Sequence, residues 1–190
     1  MTRENLPDLN LDRADSQDLT TISGKAGTGK TFVLLQAAFQ IVNKTPYSSC
    51  ALLTYNHALV NDIRRLMYYL DIRDNAIVPS TLHSFFMAMM KDLSIDTTTI
   101  DGYYFEKNYK KRLEELYEYV KIADNTDAKM LRMQYNYILI DEAQDWDPLE
   151  KEILIKVYGR DRLIVADGGR QIIRNNDYLN WGGRNYSFGY

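Results

Sequence analysis

Residues 24–31 read Gly-Lys-Ala-Gly-Thr-Gly-Lys-Thr, the pattern G-x-x-x-x-G-K-[ST], between a short β-branched run at 19–23 and an apolar run of helical length at 31–42. A chain of this length and average composition contains the pattern by chance with a probability below about one in a hundred. Strand, glycine-rich turn and helix in that order predict one geometry. The glycines let the backbone curl so that successive N–H groups converge on a phosphate, and the helix N-terminus adds positive potential. Gly24, Lys25, Ala26, Gly27, Thr28, Gly29, Lys30 and Thr31 are therefore the expected phosphate cradle of a nucleotide. Within it Lys30 is placed to reach the β- and γ-phosphates and the Thr31 hydroxyl to ligate Mg²⁺. The competing reading is a glycine-rich turn with a surface lysine.

The rest of the chain alternates in the same way. Strands are expected at 49–55, 76–80, 135–140 and 162–166, and helices at 59–70, 82–90 and 148–158, the last opened by Pro148. The helix at 31–42 is apolar nearly all round and should be buried. Such alternation predicts an α/β fold, a parallel sheet with helices on both faces. The stretch 91–133 changes texture. It holds polar turns and then a helix with Phe105, Tyr109, Leu113, Leu116, Tyr117 and Val120 on one side and mixed charges on the other, a small helical insertion. Residues 1–18 read as an N-terminal tail, 19–174 as the nucleotide-binding domain, and 175–190, rich in Asn, Gly and aromatics, as an irregular C-terminal tail.

A phosphate loop needs an acidic partner to hold Mg²⁺ and activate water. Residues 137–142 read Tyr-Ile-Leu-Ile-Asp-Glu, an apolar strand delivering two carboxylates at its carboxyl end. Asp141 is the expected metal partner, and Glu142 the expected general base. Adjacent acids at a strand end also serve as helix caps, a role open equally to Asp145 or Asp147 ahead of Pro148.

These motifs together resemble the UvrD/Rep-like superfamily 1 helicases. Gly24 to Thr31 matches that family's motif I, and Asp141-Glu142-Ala143-Gln144-Asp145 its DExQD motif II. Between them Thr54-Tyr55-Asn56 stands where motif Ia follows the second strand, and Thr81-Leu82-His83-Ser84-Phe85 matches motif Ib. Ala166-Asp167 with Gln171-Ile172-Ile173 looks like motif III, although three residues separate Asp167 from Gln171 where the family usually has two. The resemblance implies a RecA-like P-loop NTPase fold with a 1B-like insertion at 91–133, and ATP with Mg²⁺ as the ligand. It makes Gln171 a γ-phosphate sensor and Gln144 a coupling residue. It also implies a path for single-stranded DNA, or RNA, along Tyr55, Asn56, Thr81, His83 and Ser84. Stacking on an aromatic ring and small polar groups on phosphates suit that role. As core or helix-start residues, Tyr55 and His83 also have ordinary explanations. Motifs IV to VI, with the arginine fingers of a second RecA-like domain, are not in these residues, so a second domain or a partner chain is expected to supply the arginine.

Composition narrows the alternatives. The 190 residues, 45% hydrophobic and 26% charged, fit one globular domain, and a net charge of −3 leaves nucleic-acid contact to a local groove. One cysteine, Cys50, excludes an internal disulfide and fits a reducing compartment, and two histidines are too few for a histidine metal centre. The polar N-terminus has no apolar signal-peptide core and no apolar run is long enough to span a bilayer, so a soluble cytoplasmic protein without membrane contact is expected. Fifteen tyrosines suggest a stacking surface in the insertion or, more simply, an amphipathic core face. Two other function classes stay open: an ATP-binding module with little activity alone, working through a partner, and another P-loop enzyme such as a kinase. The latter gives DEAQD and TLHSF no role.

Overall fold

The computed structural model describes residues 18–25, 27–45, 47–72, 76–100, 104–122, 131, 134–169 and 178–187. In chain order the elements are β1 (Thr20–Ser23), α1 (Lys30–Lys44), β2 (Cys50–Thr54), α2 (His57–Tyr69), β3 (Ile77–Thr81), α3 (Leu82–Asp92), α4 (Phe105–Ile122), β4 (Tyr137–Ile140), α5 (Pro148–Tyr158), β5 (Leu163–Asp167) and β6 (Arg184–Ser187). A short 3₁₀ turn, Ala143–Asp145, follows β4 and another, Arg160–Arg162, precedes β5.

The strands form one sheet in the order β3-β2-β4-β5-β1-β6, every neighbouring pair parallel. The period of two in each strand sorts its side chains onto opposite faces. Ala51, Leu53, Ile138, Ile140, Leu163 and Val165 join α3, α4 and α5 in one core. Their neighbours Cys50, Leu52, Leu139, Ile164 and Ala166 join α1 and α2 in the other. Helices therefore cover both faces, which is why the inner strands read as unbroken apolar runs. The expected α/β architecture is the one found, an α/β P-loop NTPase-like fold.

Three local features follow from single residues. Pro79, which has no N–H to give, lies in β3 at the sheet edge, where a lost ladder bond costs least. Asp147 caps α5 in a full capping box: its side chain accepts from Leu149 N at 2.9 Å and Glu150 Oε2 accepts from Asp147 N at 2.8 Å. That assigns the capping role to Asp147 and leaves Asp141 and Glu142 for other work. Cys50 is buried in β2, and burial pushes its thiol up to about 12.

The described part of the insertion shares the domain's core. Tyr109, Leu113, Leu116 and Val120 of α4 pack in one cluster with Ile153, Leu154 and Val157 of α5. The Tyr109 hydroxyl donates to Glu150 Oε1 at 2.9 Å. Glu150 is 0% exposed, so its carboxylate depends on such donors.

Two expectations need correcting. The 175–190 stretch is not irregular throughout, because β6 lies within it and adds a sixth strand beside β1. Its four residues carry no apolar run, and their pairing comes from backbone bonds such as Arg184 N to Leu19 O at 2.9 Å. Helix α1 is also not buried all round. Phe32 is 40% and Phe39 36% exposed, on the face turned away from the sheet, where they line a groove with Leu35, Leu70 and Ile72. Among the described residues, no helix is long and apolar enough to cross a membrane.

Candidate functional site

In a parallel sheet all carboxyl ends lie at one edge, and ligands bind in the crevice outside them. Here that edge carries the loop after β1, the acidic pair after β4 and Asp167 at the end of β5, and β4, β5 and β1 are successive neighbours. Sheet order therefore gathers three segments that are far apart in the chain.

The loop is held open by backbone geometry. Gly27 and Gly29 have φ of 75° and 85°, the left-handed region that favours glycine, and Gly29 leads directly into α1. Gly24 N donates to Asp167 O at 3.3 Å, tying the loop's start to β5. Lys30 is only 6% exposed, and its ammonium donates to Lys25 O at 3.2 Å inside the loop. Ala26 lies outside the described residues.

Across the crevice the Thr31 hydroxyl donates to Asp141 Oδ2 at 2.6 Å. Burial raises the Asp141 carboxyl above its ordinary range and Glu142 adds to this, while the Thr31 hydroxyl bond and Lys30 pull the other way. Two hard oxygens side by side, one hydroxyl and one carboxylate, suit Mg²⁺, which typically keeps one or two carboxylate ligands beside phosphates and water. No cluster of three or more His, Cys, Asp or Glu occurs among the described residues, so a cation held here would need the nucleotide's own oxygens.

Glu142 adopts φ 48° and ψ 47°, a left-handed backbone costing a non-glycine residue about 1–3 kcal/mol. Neighbouring groups hold it there. Asp141 Oδ1 accepts from Glu142 N at 3.0 Å, and the Gln144 amide donates to Glu142 Oε2 at 2.7 Å. Gln144 Oε1 in turn accepts from Gly168 N at 2.8 Å, so one buried amide joins Glu142 to the end of β5. Gly168 must be glycine for this. A Cβ there would stand 2.9 Å from both Gln144 Nε2 and Glu142 Oε2.

Gln171, with Arg170 and Arg174, lies outside the described residues. Asp167 is described: its carboxylate accepts from Gly169 N at 2.6 Å and from the Tyr178 hydroxyl. Tyr178 and Trp181 are contacts that residue patterns miss. Trp181 reaches the acidic turn from the far end of the chain, with its indole N–H donating to Ala143 O at 2.7 Å. The only signal in the residues is an isolated tryptophan before two glycines.

The residues expected to meet nucleic acid occupy the ends of β2 and β3, which are paired with Thr54 opposite Thr81. Tyr55 is 42% exposed. Asn56 caps α2 through Ala58 N at 2.8 Å. Thr81 is buried, and its hydroxyl donates to Ser84 Oγ at 2.8 Å and accepts from Ser84 N at 3.2 Å as the cap of α3. It shapes the turn and offers no open surface, whereas Ser84 is exposed. The His83 ring lies 5.5 Å from Tyr55 and 5.0 Å from Phe105, edge to face in both cases. Phe105 thus brings the insertion helix to the same edge, a placement the motifs did not reveal.

No curated protein matches the chain. A family model described as an AAA domain does match, over residues 10–174. That span takes in the phosphate loop, both acidic strand ends and the Tyr55–His83 edge, and covers most of the sequence. On that match the chain belongs to the AAA domain family and carries a P-loop, helicase-like domain.

Proposed function

We propose that this chain binds and hydrolyses ATP as the first RecA-like domain of a UvrD-like helicase, coupled to single-stranded nucleic acid and completed by a second RecA-like domain or a partner that supplies an arginine. The observation that carries the reading is the 2.6 Å bond from Thr31 to Asp141, with Glu142 alongside. It sets the phosphate loop and the acidic strand end within reach of one nucleotide.

Bound Mg²⁺, held by Thr31 and Asp141, would neutralise charge on the β- and γ-phosphates. Backbone N–H groups of the loop would orient the phosphates, and Lys30 would face the γ-phosphate. Glu142, held by Gln144, would take a proton from the attacking water in line with the leaving oxygen. Gln171 would sense the γ-phosphate. Without an arginine finger, turnover should be slow, since such a residue is worth about 10³–10⁵ in rate.

Coupling to nucleic acid draws support from the half-exposed Tyr55 ring beside His83 and the exposed Ser84, at the same edge of the sheet as the nucleotide loop. Phosphate release with and without a single-stranded DNA oligonucleotide tests the whole reading. The reading predicts DNA stimulation that is lost in Tyr55→Ala, and loss of all release in Lys30→Ala. Tight binding of ATP without turnover under any condition would favour the ATP-binding module, and transfer of phosphate to a small acceptor would sink both.

A further inference from the structure

The 178–183 segment lies across the acidic turn and is fastened from both sides. Towards the site, the Tyr178 hydroxyl donates to Asp167, Leu179 N donates to Gln144 O at 3.2 Å, and Trp181 Nε1 donates to Ala143 O at 2.7 Å. Away from the site, three successive carbonyls of the segment accept bonds. Asn180 O takes one from Lys151 Nζ at 3.0 Å, Trp181 O from Arg160 Nη2 at 3.4 Å and Gly182 O from the Thr21 hydroxyl at 2.8 Å. The Trp181 ring is 3% exposed and stands edge-on to Trp146, with centroids 5.8 Å apart.

Within the turn gripped in this way, Asp145 N donates to Glu142 O at 3.1 Å, Trp146 N donates to Ala143 O at 3.4 Å and the Gln144 amide donates to Glu142 Oε2 at 2.7 Å. The turn begins at Glu142, whose left-handed backbone relaxes if its surroundings let go. The two N–H groups of the segment land on successive carbonyls, Ala143 and Gln144, and the side chain of the second is the amide that joins Glu142 to Gly168. The carbonyls that position the turn and the amide that positions the carboxylate therefore belong to the same two residues.

We propose that the 178–183 segment is a positioning brace for the acidic turn, in which the Trp181 indole N–H and the Leu179 N–H fix the Ala143 and Gln144 carbonyls and so hold Glu142 in the geometry that attack on the γ-phosphate requires. The inference rests on the hydrolytic reading of the site. It also has a consequence independent of that reading: without the brace the turn opens locally while the sheet stays folded.

The test compares Trp181→Phe, which keeps most of the packing and removes one donor, and Tyr178→Phe, which loses only a hydroxyl, with the wild-type chain. The readouts are steady-state hydrolysis of Mg·ATP and amide hydrogen exchange in peptides spanning 137–140 and 142–146. The expected result for Trp181→Phe is a kcat lower by roughly 10- to 100-fold, the effect of a small misplacement of a reacting group, with KM little changed. Exchange should quicken at the Asp145 and Trp146 amides and stay slow in β4. Tyr178→Phe should show the same pattern more weakly. Unchanged kcat and unchanged exchange in Trp181→Phe overturn the proposal. So does a variant in which β4 and the turn lose protection together, because that is a structural role only. If the wild-type chain hydrolyses nothing, the hydrolytic reading fails. The brace is then judged by exchange alone, and unaltered protection of 142–146 in both variants overturns it.

Discussion

Gln144 joins Glu142 to Gly168 through one amide, its Nε2 donating to the carboxylate at 2.7 Å and its Oε1 accepting from the glycine N–H at 2.8 Å. The end of β4 and the end of β5 are thereby one hydrogen-bonded unit. Gly168 and the Glu142 carboxylate are therefore linked through a single side chain.

Gly168→Ala tests that unit. The added Cβ would meet Gln144 Nε2 and Glu142 Oε2 at 2.9 Å, closer than real contacts allow, and the amide must withdraw. Hydrolysis should fall by roughly tenfold or more while nucleotide affinity holds, the pattern of a lost transition-state interaction. Turnover equal to wild type in a steady-state assay would show that the bridge does not position Glu142.

Tyr109→Phe tests the union of the insertion helix with the domain. It removes one donor to Glu150, a carboxylate buried in the core, and leaves packing almost intact. Losing such a partner should cost about 1–3 kcal/mol of stability, read as a lower denaturant midpoint with an unchanged slope. A variant as stable as wild type would mean that this hydrogen bond adds nothing to the packing that joins α4 to α5.

Alkaline pH tests the Tyr178 contact. Burial and the Asp167 carboxylate push its phenol up to about 12, so the folded state favours the neutral form. The contribution is full below the unfolded value of about 10 and is lost as pH rises towards 12. Other tyrosines, among them Tyr158, are raised as well, so the informative quantity is a difference. Denaturant midpoints should fall more steeply between pH 9 and pH 11.5, as illustrative test points about the ordinary tyrosine range, for wild type than for Tyr178→Phe. Equal slopes would place no proton-dependent contact there.

Five strands and the glycine-rich loop between β1 and α1 were legible because their causes are local. Cys50–Thr54 and Leu163–Asp167 are covered on both faces and so must be apolar at nearly every position, and the loop needs glycine where its φ is positive. The position of Asp141, directly after the apolar strand Tyr137–Ile140, was legible for the same reason. β6 was not, because Arg184–Ser187 pairs through its backbone at the sheet margin and needs no apolar signature. The exposure of Phe32 and Phe39 was also hidden, since a run of apolar residues does not reveal which of its faces has a partner. Trp181 and Tyr178 reach Ala143 and Asp167 only after the sheet has brought β4, β5 and β6 together, and no spacing within the chain encodes that meeting.

We propose that Thr31 and Asp141, joined by a 2.6 Å hydrogen bond, form with Lys30 one site for a Mg²⁺-bound nucleotide. Titration of the chain with a fluorescent ATP analogue, with Mg²⁺ or with a chelator, tests it most directly. Binding should be saturable and strengthened by Mg²⁺, roughly tenfold or more weaker in Lys30→Ala, a loss of about 1.4 kcal/mol or more, with the Mg²⁺ effect abolished in Asp141→Asn. Binding that ignores both Mg²⁺ and Lys30→Ala would contradict it.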